Sequence, residues 1–168
     1  MITSAIISPC GLFRYTLERT WAAMLPRLGV CMLNPSTADA ERNDPTIARL
    51  IVRAGRSGFG SLSVVNLFAY RTAYPANLWN RWANAREIIG PDNDLHIRRT
   101  ARICNSFLVA WGLVERTQRD ATVLDLLHEH FEDRARILCL GLTKSKRPLH
   151  PLHVAYNVEM VPYSGRYA

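Results

Sequence analysis

Short apolar runs alternate along the chain with longer mixed stretches, and each run ends at a proline, a glycine or a polar residue. Such runs predict buried strands, and four stand out: Leu28 to Leu33, Ser61 to Ala69, Phe107 to Trp111 and Arg136 to Gly141. Each is followed by a stretch long enough for a crossover helix. Parallel strands require such crossovers, so the pattern predicts a single α/β domain over residues 1–168.

Further strands, outside the four buried ones, are predicted near both ends of the sequence. Ser4 to Ser8 and Phe13 to Trp21 are β-prone segments on either side of Pro9-Cys10-Gly11, which predicts an N-terminal hairpin. Val158 to Val161 is short and apolar and is predicted as an edge strand.

A helix is predicted to begin at Asp44-Pro45, because aspartate is a favoured N-cap and proline fits the first helical position. Gly58 supplies its end, and its apolar positions recur at helical spacing. Arg49, Arg53 and Arg56 fall largely outside the apolar stripe. We expect an arginine face that is either simply solvated or in contact with a ligand.

Two later helices are predicted to cover the sheet. One runs from Asp92 to about Ile103, with Leu95 and Ile103 facing inward, and the other from about Val114 to Phe131. Trp79 and Trp82 lie before them on a short, partly helical stretch, where core packing and stacking on a base are both open.

Polar residues follow the first predicted strand at once. Asn34, Ser36, Thr37 and Asp39 come directly after its apolar run, in the sequence LNPSTAD. Ligands of open α/β sheets bind at the carboxyl ends of the strands, so this loop is the first candidate site. Termination of the strand and capping of a turn are the alternative roles of these residues.

The second strand carries an asparagine, a residue that is depleted in strands because its side chain competes for backbone hydrogen bonds. Asn66 lies near the end of this strand, and Arg71 follows it. A carboxamide has donors and an acceptor and can read the edge of a nucleobase, or it can tie down the next turn. Arg71 is positioned to meet a phosphate or a carboxylate.

The fourth strand leads into a basic loop from Leu142 to His153, with the sequence LTKSKRPLHPLH. If the strands are parallel, this loop leaves the same edge of the sheet as the segments that contain Asn34 and Asn66. The three polar segments would then converge on one site.

The net charge of +7 comes almost wholly from arginine, since Lys144 and Lys146 are the only lysines. Arginine pairs bidentately with phosphates and stacks on bases, so the composition favours a polyanionic partner, with an ordinary solvated surface as the alternative. The four cysteines are scattered, which argues against a zinc site or a disulfide framework.

The sequence lacks the common nucleotide-binding motifs and any apolar stretch of membrane-spanning length. The sequence contains neither GxxxxGK[ST] nor GxGxxG, and no ligand spacing for a metal, so we expect no cofactor and no metal site. It has no signal peptide and no apolar stretch of eighteen residues, so we expect a cytoplasmic protein without membrane contact. The sequence does not indicate an oligomeric state.

Nearly the whole chain resembles the uncharacterised bacterial and phage family called domain of unknown function 1643. The resemblance rests on LNPSTAD, NDPTIARL, VVNLFAYRTAYPANL, GPDND, VAWG and LGLTKSKRPLHPL. It implies a family but no activity.

A more distant resemblance is to the uracil-DNA glycosylase superfamily. Leu33 to Ser36 is similar to its GINPG motif, Asn66 to its base-reading asparagine, and His150-Pro151-Leu152 to its HPS motif. The first glycine of GINPG and the serine of HPS are replaced here, and no cysteine cluster for an iron–sulfur centre is present. The resemblance implies a three-layer αβα fold with a four-stranded, mainly parallel sheet in the order 2-1-3-4.

The same resemblance implies roles in the hydrolysis of an N-glycosidic bond. His150 would hydrogen-bond the departing base where negative charge develops. Asn34, or alternatively Asp39, would position or activate the attacking water. Asn66 would select the base, with Ser36 and Thr37 in support, after the base has left the stack.

Four basic residues, Arg71, Lys144, Lys146 and Arg147, would contact phosphates, and Leu152 or His153 would fill the gap left by the base. The expected partner is nucleic acid, DNA in preference to RNA. A non-catalytic module that binds nucleic acid or a nucleotide, and an enzyme that acts on free nucleotides, are the alternatives.

Overall fold

The structure is a computed structural model that describes residues 1–74, 76–81, 85–114 and 118–165. Its strands are β1 (Ile2–Ile7), β2 (Arg14–Thr20), β3 (Arg27–Met32), β4 (Ser61–Asn66), β5 (Ser106–Val109), β6 (Ile137–Cys139) and β7 (Val161–Pro162). Its helices are α1 (Pro45–Arg56), α2 (Ala76–Asn80), α3 (Ala85–Ile89), α4 (Asn93–Ile103) and α5 (Arg119–His128), with 3₁₀ turns at Arg134–Arg136 and Pro151–His153. The protein is therefore a mixed α/β fold, as the pattern predicts.

One seven-stranded sheet runs through the molecule in the order β1-β2-β4-β3-β5-β6-β7. The pairs β4–β3, β3–β5 and β5–β6 are parallel, whereas the pairs that involve β1, β2 and β7 are antiparallel. The predicted N-terminal hairpin forms, but it is not a separate addition to a four-stranded sheet. Leu17 to Thr20 pair with Val64 to Ser61, which joins the hairpin to the central strands.

Two hydrophobic cores lie on opposite faces of the sheet. Alternate residues of β3 point to different faces, so Val30 and Met32 join one core and Cys31 joins the other. The first core includes Ile47 and Leu50 of α1, and the second contains the buried apolar residues of α4 and α5. The parallel strands β3, β4 and β5 are buried on both faces because helices cover both, which explains why they read as continuous apolar runs.

Helix α1 begins where the sequence predicts. Asp44 is its N-cap and accepts a hydrogen bond from the backbone N–H of Ile47 at 2.9 Å, and Pro45 is the first helical residue. Ser57 follows the helix, and Gly58 adopts φ +82°, a conformation that favours glycine. The N-terminus of α1 is thereby fixed at the end of the sheet where β3 ends.

The predicted inward face of α4 is wrong. Leu95 and Ile103 are 45% and 57% exposed, whereas Ile97 and Ala101 are buried. Because Ile97 and Ala101 are four residues apart, they share a helix face, and this face packs on the sheet. Trp82 and the beginning of the helix predicted from Val114 lie at least partly outside the described residues, and α5 begins at Arg119.

Five arginines are buried among the residues that the structure describes, which changes the interpretation of the positive charge. They are Arg14, Arg19, Arg53, Arg119 and Arg147, each 6% exposed or less. Arg53, predicted on a solvated or ligand-binding face, instead donates to backbone carbonyls of residues 154–158. Part of the arginine content therefore holds loops in place inside the protein.

Candidate functional site

A cavity of about 600 Å³ opens at the carboxyl ends of the parallel strands. Its polar lining residues are Arg14, Asn34, Ser36, Asp44, Thr46, Thr72, Thr143, His150 and His153. Its apolar lining residues are Met32, Leu33, Ala73, Trp79, Trp111, Gly112, Leu113, Leu149 and Leu152. The segments that follow β3, β4, β5 and β6 all contribute, so the cavity lies where ligands of α/β sheets usually bind.

Asn34 lies in the cavity wall, and its carboxamide has a fixed orientation. Nδ2 donates to the carbonyl oxygen of Pro35 at 2.9 Å and to that of Thr72 at 2.8 Å. Because both partners are acceptors, the amide nitrogen must face them. The carbonyl oxygen Oδ1 has no hydrogen-bond partner among the described residues and can accept a hydrogen bond from a water or a ligand.

His150 lines the same cavity at the start of the last 3₁₀ turn. Its Nδ1 accepts a hydrogen bond from the backbone N–H of Leu152 at 3.3 Å. In a neutral imidazole the other nitrogen then carries the proton, so Nε2–H is a donor. Gly112 lies beside this turn and adopts φ +74°, a conformation that favours glycine, although a Cβ there would be in ordinary contact with the Cβ of His150 at 3.4 Å.

Burial lowers the pKa of His150 to about 4. The nearby His153 lowers this pKa further, and the carboxylate of Asp44 opposes both effects. The imidazole is therefore neutral near pH 7. A neutral N–H donor can stabilise negative charge that develops on a ligand, and it keeps its own proton when it does so.

The other predicted residues of the first loop differ in position. Ser36 is half-buried and lines the cavity, whereas Thr37 is exposed and is not among the described lining residues. Asp39 does not line the cavity either. Its Oδ1 accepts from the backbone N–H groups of Glu41 and Arg42 at 2.9 and 2.8 Å, and these bonds lower the pKa of its carboxyl. Asp39 organises the loop and is a weakened base.

Asn66 is 1% exposed and is not among the described residues that line the cavity. It pairs with Met32 across β3 and β4, and Met32 is part of the cavity wall. Neither Nδ2 nor Oδ1 has a hydrogen-bond partner within the described part of the chain. Buried carboxamides normally have partners, so Asn66 has unused hydrogen-bonding capacity one strand away from the cavity wall.

The four predicted phosphate contacts occupy three kinds of position. Lys144 and Lys146 are exposed on the loop that follows Thr143, a lining residue. Arg71 is half-buried, donates to the carbonyl of Gly11 at 3.2 Å and is not among the described lining residues, although its neighbour Thr72 is. Arg147 is 6% exposed and forms an ion pair with the buried Asp120, which takes it off the surface.

The structure adds two charged residues that sequence reasoning did not assign to the site. Arg14 is 1% exposed, lines the cavity and donates to the carbonyl of Ala38 at 2.5 Å. Burial lowers the pKa of Arg14 to about 10. Asp44 also lines the cavity and favours the charged forms of both Arg14 and His150. The only sequence signal for Asp44 was its N-cap position.

The described residues contain no group of three or more His, Cys, Asp or Glu side chains placed to hold a metal ion. None of the described helices is long and apolar enough to span a membrane. Among the described lining residues, the charged side chains are Arg14 and Asp44, and the neutral polar groups include His150, Asn34 and several hydroxyls. The described lining therefore carries no excess of positive charge.

Comparison with known proteins identifies one family. The model of a family described as "Protein of unknown function (DUF1643)" matches residues 14–152, which include all the described residues that line the cavity except His153. No curated protein and no solved structure matches the chain.

Proposed function

We propose that this chain, which belongs to the DUF1643 family, binds a nucleobase in its cavity and hydrolyses the N-glycosidic bond of that base in nucleic acid. DNA is the favoured substrate. The observation that carries the proposal is that Asn34 and His150 line one cavity, each with its side chain oriented by main-chain hydrogen bonds.

The chemistry requires two things of the site. When the bond between base and sugar breaks, its electrons leave with the base, and positive charge develops on the sugar. His150 would donate Nε2–H to the base atom on which negative charge grows. Asn34 would accept a hydrogen bond from the water that adds to the sugar carbon, and Asp44 would accept the proton that this water loses.

The size and walls of the cavity support a flat heterocycle as the ligand. Its volume of about 600 Å³ lies within the range of small-molecule sites. Trp79, Trp111 and Leu33 supply apolar surface on which a ring can pack. Asn66, behind Met32, would contribute to recognition of the base edge after a small movement of the wall.

The rim supports a base that arrives attached to a polymer. Leu113 and Leu152 both line the cavity and are 56% and 41% exposed, so their side chains lie at its rim. Either side chain would fill the space that a base leaves in the stack. Lys144 and Lys146 would contact phosphates beside the opening.

The sheet also supports a glycosylase-like arrangement. The resemblance to uracil-DNA glycosylases implies parallel strands in the order second, first, third and fourth along the chain. The four strands with parallel pairings lie in the order β4-β3-β5-β6 within the seven-stranded sheet, and this order supports the proposed arrangement. Helices on both faces agree with the implied three layers.

The test is base release from a panel of oligonucleotides. Purified protein would be incubated with single and double strands that carry uracil, hypoxanthine, mismatched or phage-modified bases, and free base would be measured by mass spectrometry. We expect release of at least one base, loss of about a hundredfold or more in rate for Asn34→Ala and His150→Gln, and no change for Arg102→Gln on the exposed face of α4.

Each outcome separates the candidates. Absence of base release and of abasic sites across the whole panel would reject the glycosylase proposal. Binding of the oligonucleotides without release would favour the non-catalytic module. Thermal stabilisation by free nucleotides, with no effect of oligonucleotides, would favour an enzyme on free nucleotides.

A further inference from the structure

A buried arginine in α1 holds the chain segment that follows His150. Arg53 is 3% exposed, although it lies in the last turn of a helix whose other face is solvated. Its guanidinium donates to three backbone carbonyls: Val158, Val154 at 3.2 Å and Ala155 at 2.8 Å. Burial of a charge is costly unless it is hydrogen-bonded, so this arrangement fixes the segment tightly to the helix.

The segment is the continuation of the turn that carries His150. Val154 directly follows the 3₁₀ turn Pro151–His153, and its N–H donates to the carbonyl of Pro151. Arg49 also donates to the carbonyl of Val154, at 3.2 Å. At the other end of the turn, the N–H of Leu149 donates to the carbonyl of Gly141 at 3.0 Å. The turn is therefore anchored both to the sheet and to α1.

Helix α1 also carries Asp44, which faces the same cavity as His150. Asp44 and Arg53 are nine residues apart, or about 14 Å along a rigid helix at 1.5 Å per residue. The N-terminal end of α1 thus presents a charged group to the cavity, and its last turn fixes the segment that continues from His150. Any movement of the turn away from α1 changes the position of His150 relative to Asp44.

We propose that Arg53 is a positioning residue of the site, which holds the His150 turn against α1 so that the imidazole keeps one tautomer and its place opposite Asp44. The importance of Arg53 for catalysis rests on the proposed function. The geometry it describes belongs to the ligand-free protein, so it can be tested whether or not the protein releases a base.

Burial and two neighbouring side chains determine the pKa of His150. Burial and His153 on the same turn lower it, and Asp44 at the N-cap of α1 raises it. Burial has the largest effect, so release of the turn into solvent is expected to raise the pKa of His150 from about 4 toward the ordinary value of about 6.5. If Nδ1 no longer accepts the hydrogen bond from the N–H of Leu152, we expect both neutral tautomers of His150 to be populated.

The experiment is a ¹⁵N NMR titration of the histidine rings in wild type, Arg53→Gln and Arg53→Lys. In the wild type we expect a single Nε2–H tautomer for His150 and titration near pH 4. In Arg53→Gln we expect mixed tautomers and a higher pKa for His150, with the titrations of His96 and His128 on other helices unchanged. Arg53→Lys should lie between the two, because a single ammonium cannot bridge three carbonyls.

Arg56→Gln is the matched control, because Arg56 contacts the ring of Tyr156 in the same segment and makes none of the hydrogen bonds to its backbone that the structure describes. It should titrate as the wild type does. A folded Arg53→Gln protein in which His150 keeps its tautomer and pKa would overturn the proposal. If Arg53→Gln does not fold, Arg49→Gln, which removes one bond to Val154, must shift His150 in the same direction for the proposal to stand.

Discussion

The two polar side chains at the centre of the site are fixed by the main chain around them. Asn34 uses both amide hydrogens on carbonyls of Pro35 and Thr72, and His150 uses Nδ1 on the N–H of Leu152. Each residue is left with one group for a ligand, an acceptor at Asn34 and a donor at His150. This division of roles follows from the hydrogen bonds and does not depend on the identity of the ligand.

The depressed pKa of His150 predicts a particular acid sensitivity. The pKa is about 4 in the folded protein and about 6.5 when unfolded, so the unfolded chain binds more protons between these values. The contribution of His150 to stability is complete above about pH 6.5 and is lost as the pH falls toward 4. We expect the melting temperature of His150→Asn to fall less than that of the wild type between pH 7 and pH 4.5. Parallel melting curves for the two proteins over this range would contradict the account.

Asn34 was singled out because it directly follows an apolar run, and His150 because His150-Pro151-Leu152 resembles the HPS motif of uracil-DNA glycosylases; both line one cavity. Arg14 and Asp44 could not be assigned to the site in the same way. Arg14 reads as one residue of an alternating strand, and its burial depends on the carbonyl of Ala38, 24 residues away. Arg147 was predicted as a phosphate contact on a basic loop, but it is buried and pairs with Asp120 of α5. Such contacts are properties of the tertiary fold.

For helices and strands, local sequence signals predicted where an element lies along the chain better than which of its faces is buried. The turn at Pro9 to Gly11, the cap at Asp44 and the four apolar runs all lie where the structure has a hairpin, a helix start and strands. The inward face of α4 was predicted wrongly, because Leu95 and Ile103 are apolar yet exposed. Which side of a short helix packs on a sheet depends on how the sheet twists beneath it, and hydrophobicity alone does not specify this.

The cap of α1 separates the structural and chemical roles of Asp44. Asp44→Ala removes the acceptor for the N–H of Ile47 and should lower the free energy of unfolding by about 1 kcal/mol. Asp44→Asn keeps an acceptor at the cap, so its stability should stay close to that of the wild type, while the pKa of His150 should fall because a carboxylate that favours its charged form is lost. Urea unfolding and NMR titration measure the two effects, and equal stabilities of both variants would contradict the capping role.

The close packing of β3 on β5 predicts that a single methyl group is poorly tolerated there. A Cβ at Gly29 would lie 2.3 Å from a ring carbon of Phe107, so the ring would have to move within a fully buried core. Gly29→Ala should cost about 1–3 kcal/mol in unfolding free energy. Gly11→Ala tests the other case, since its Cβ would meet nothing and only its φ of +74° disfavours alanine. A Gly29→Ala protein as stable as the wild type would show that the two strands are not packed as described.

Over the whole molecule, the positive charge has two separate uses. Buried arginines bind carbonyls and carboxylates inside the fold, as Arg53 and Arg147 do, while Lys144 and Lys146 remain exposed beside the cavity. The net charge of +7 alone could not distinguish these uses, because burial is decided by the tertiary contacts of each side chain.

Substitutions distinguish the two groups of charges. Asp120→Asn should leave Arg147 as an uncompensated buried charge and destabilise the protein by about 3–5 kcal/mol. Lys144→Ala with Lys146→Ala should leave stability unchanged and weaken binding to single-stranded DNA, with the slope of log affinity against log salt reduced by about 0.7 for each lost phosphate contact. Unchanged affinity and slope would remove these lysines from the proposed interface.

The most direct test of the central claim is to follow the side chains of Asn34 and His150 by NMR while nucleobases and short oligonucleotides that contain them are added. The account predicts that at least one base shifts the Nε2–H signal of His150 and the carboxamide signals of Asn34 together, and that Trp111 in the cavity wall shifts with them. Saturable shifts confined to other surfaces, or no shift with any base in free or polymeric form, would contradict the claim that this cavity binds a nucleobase.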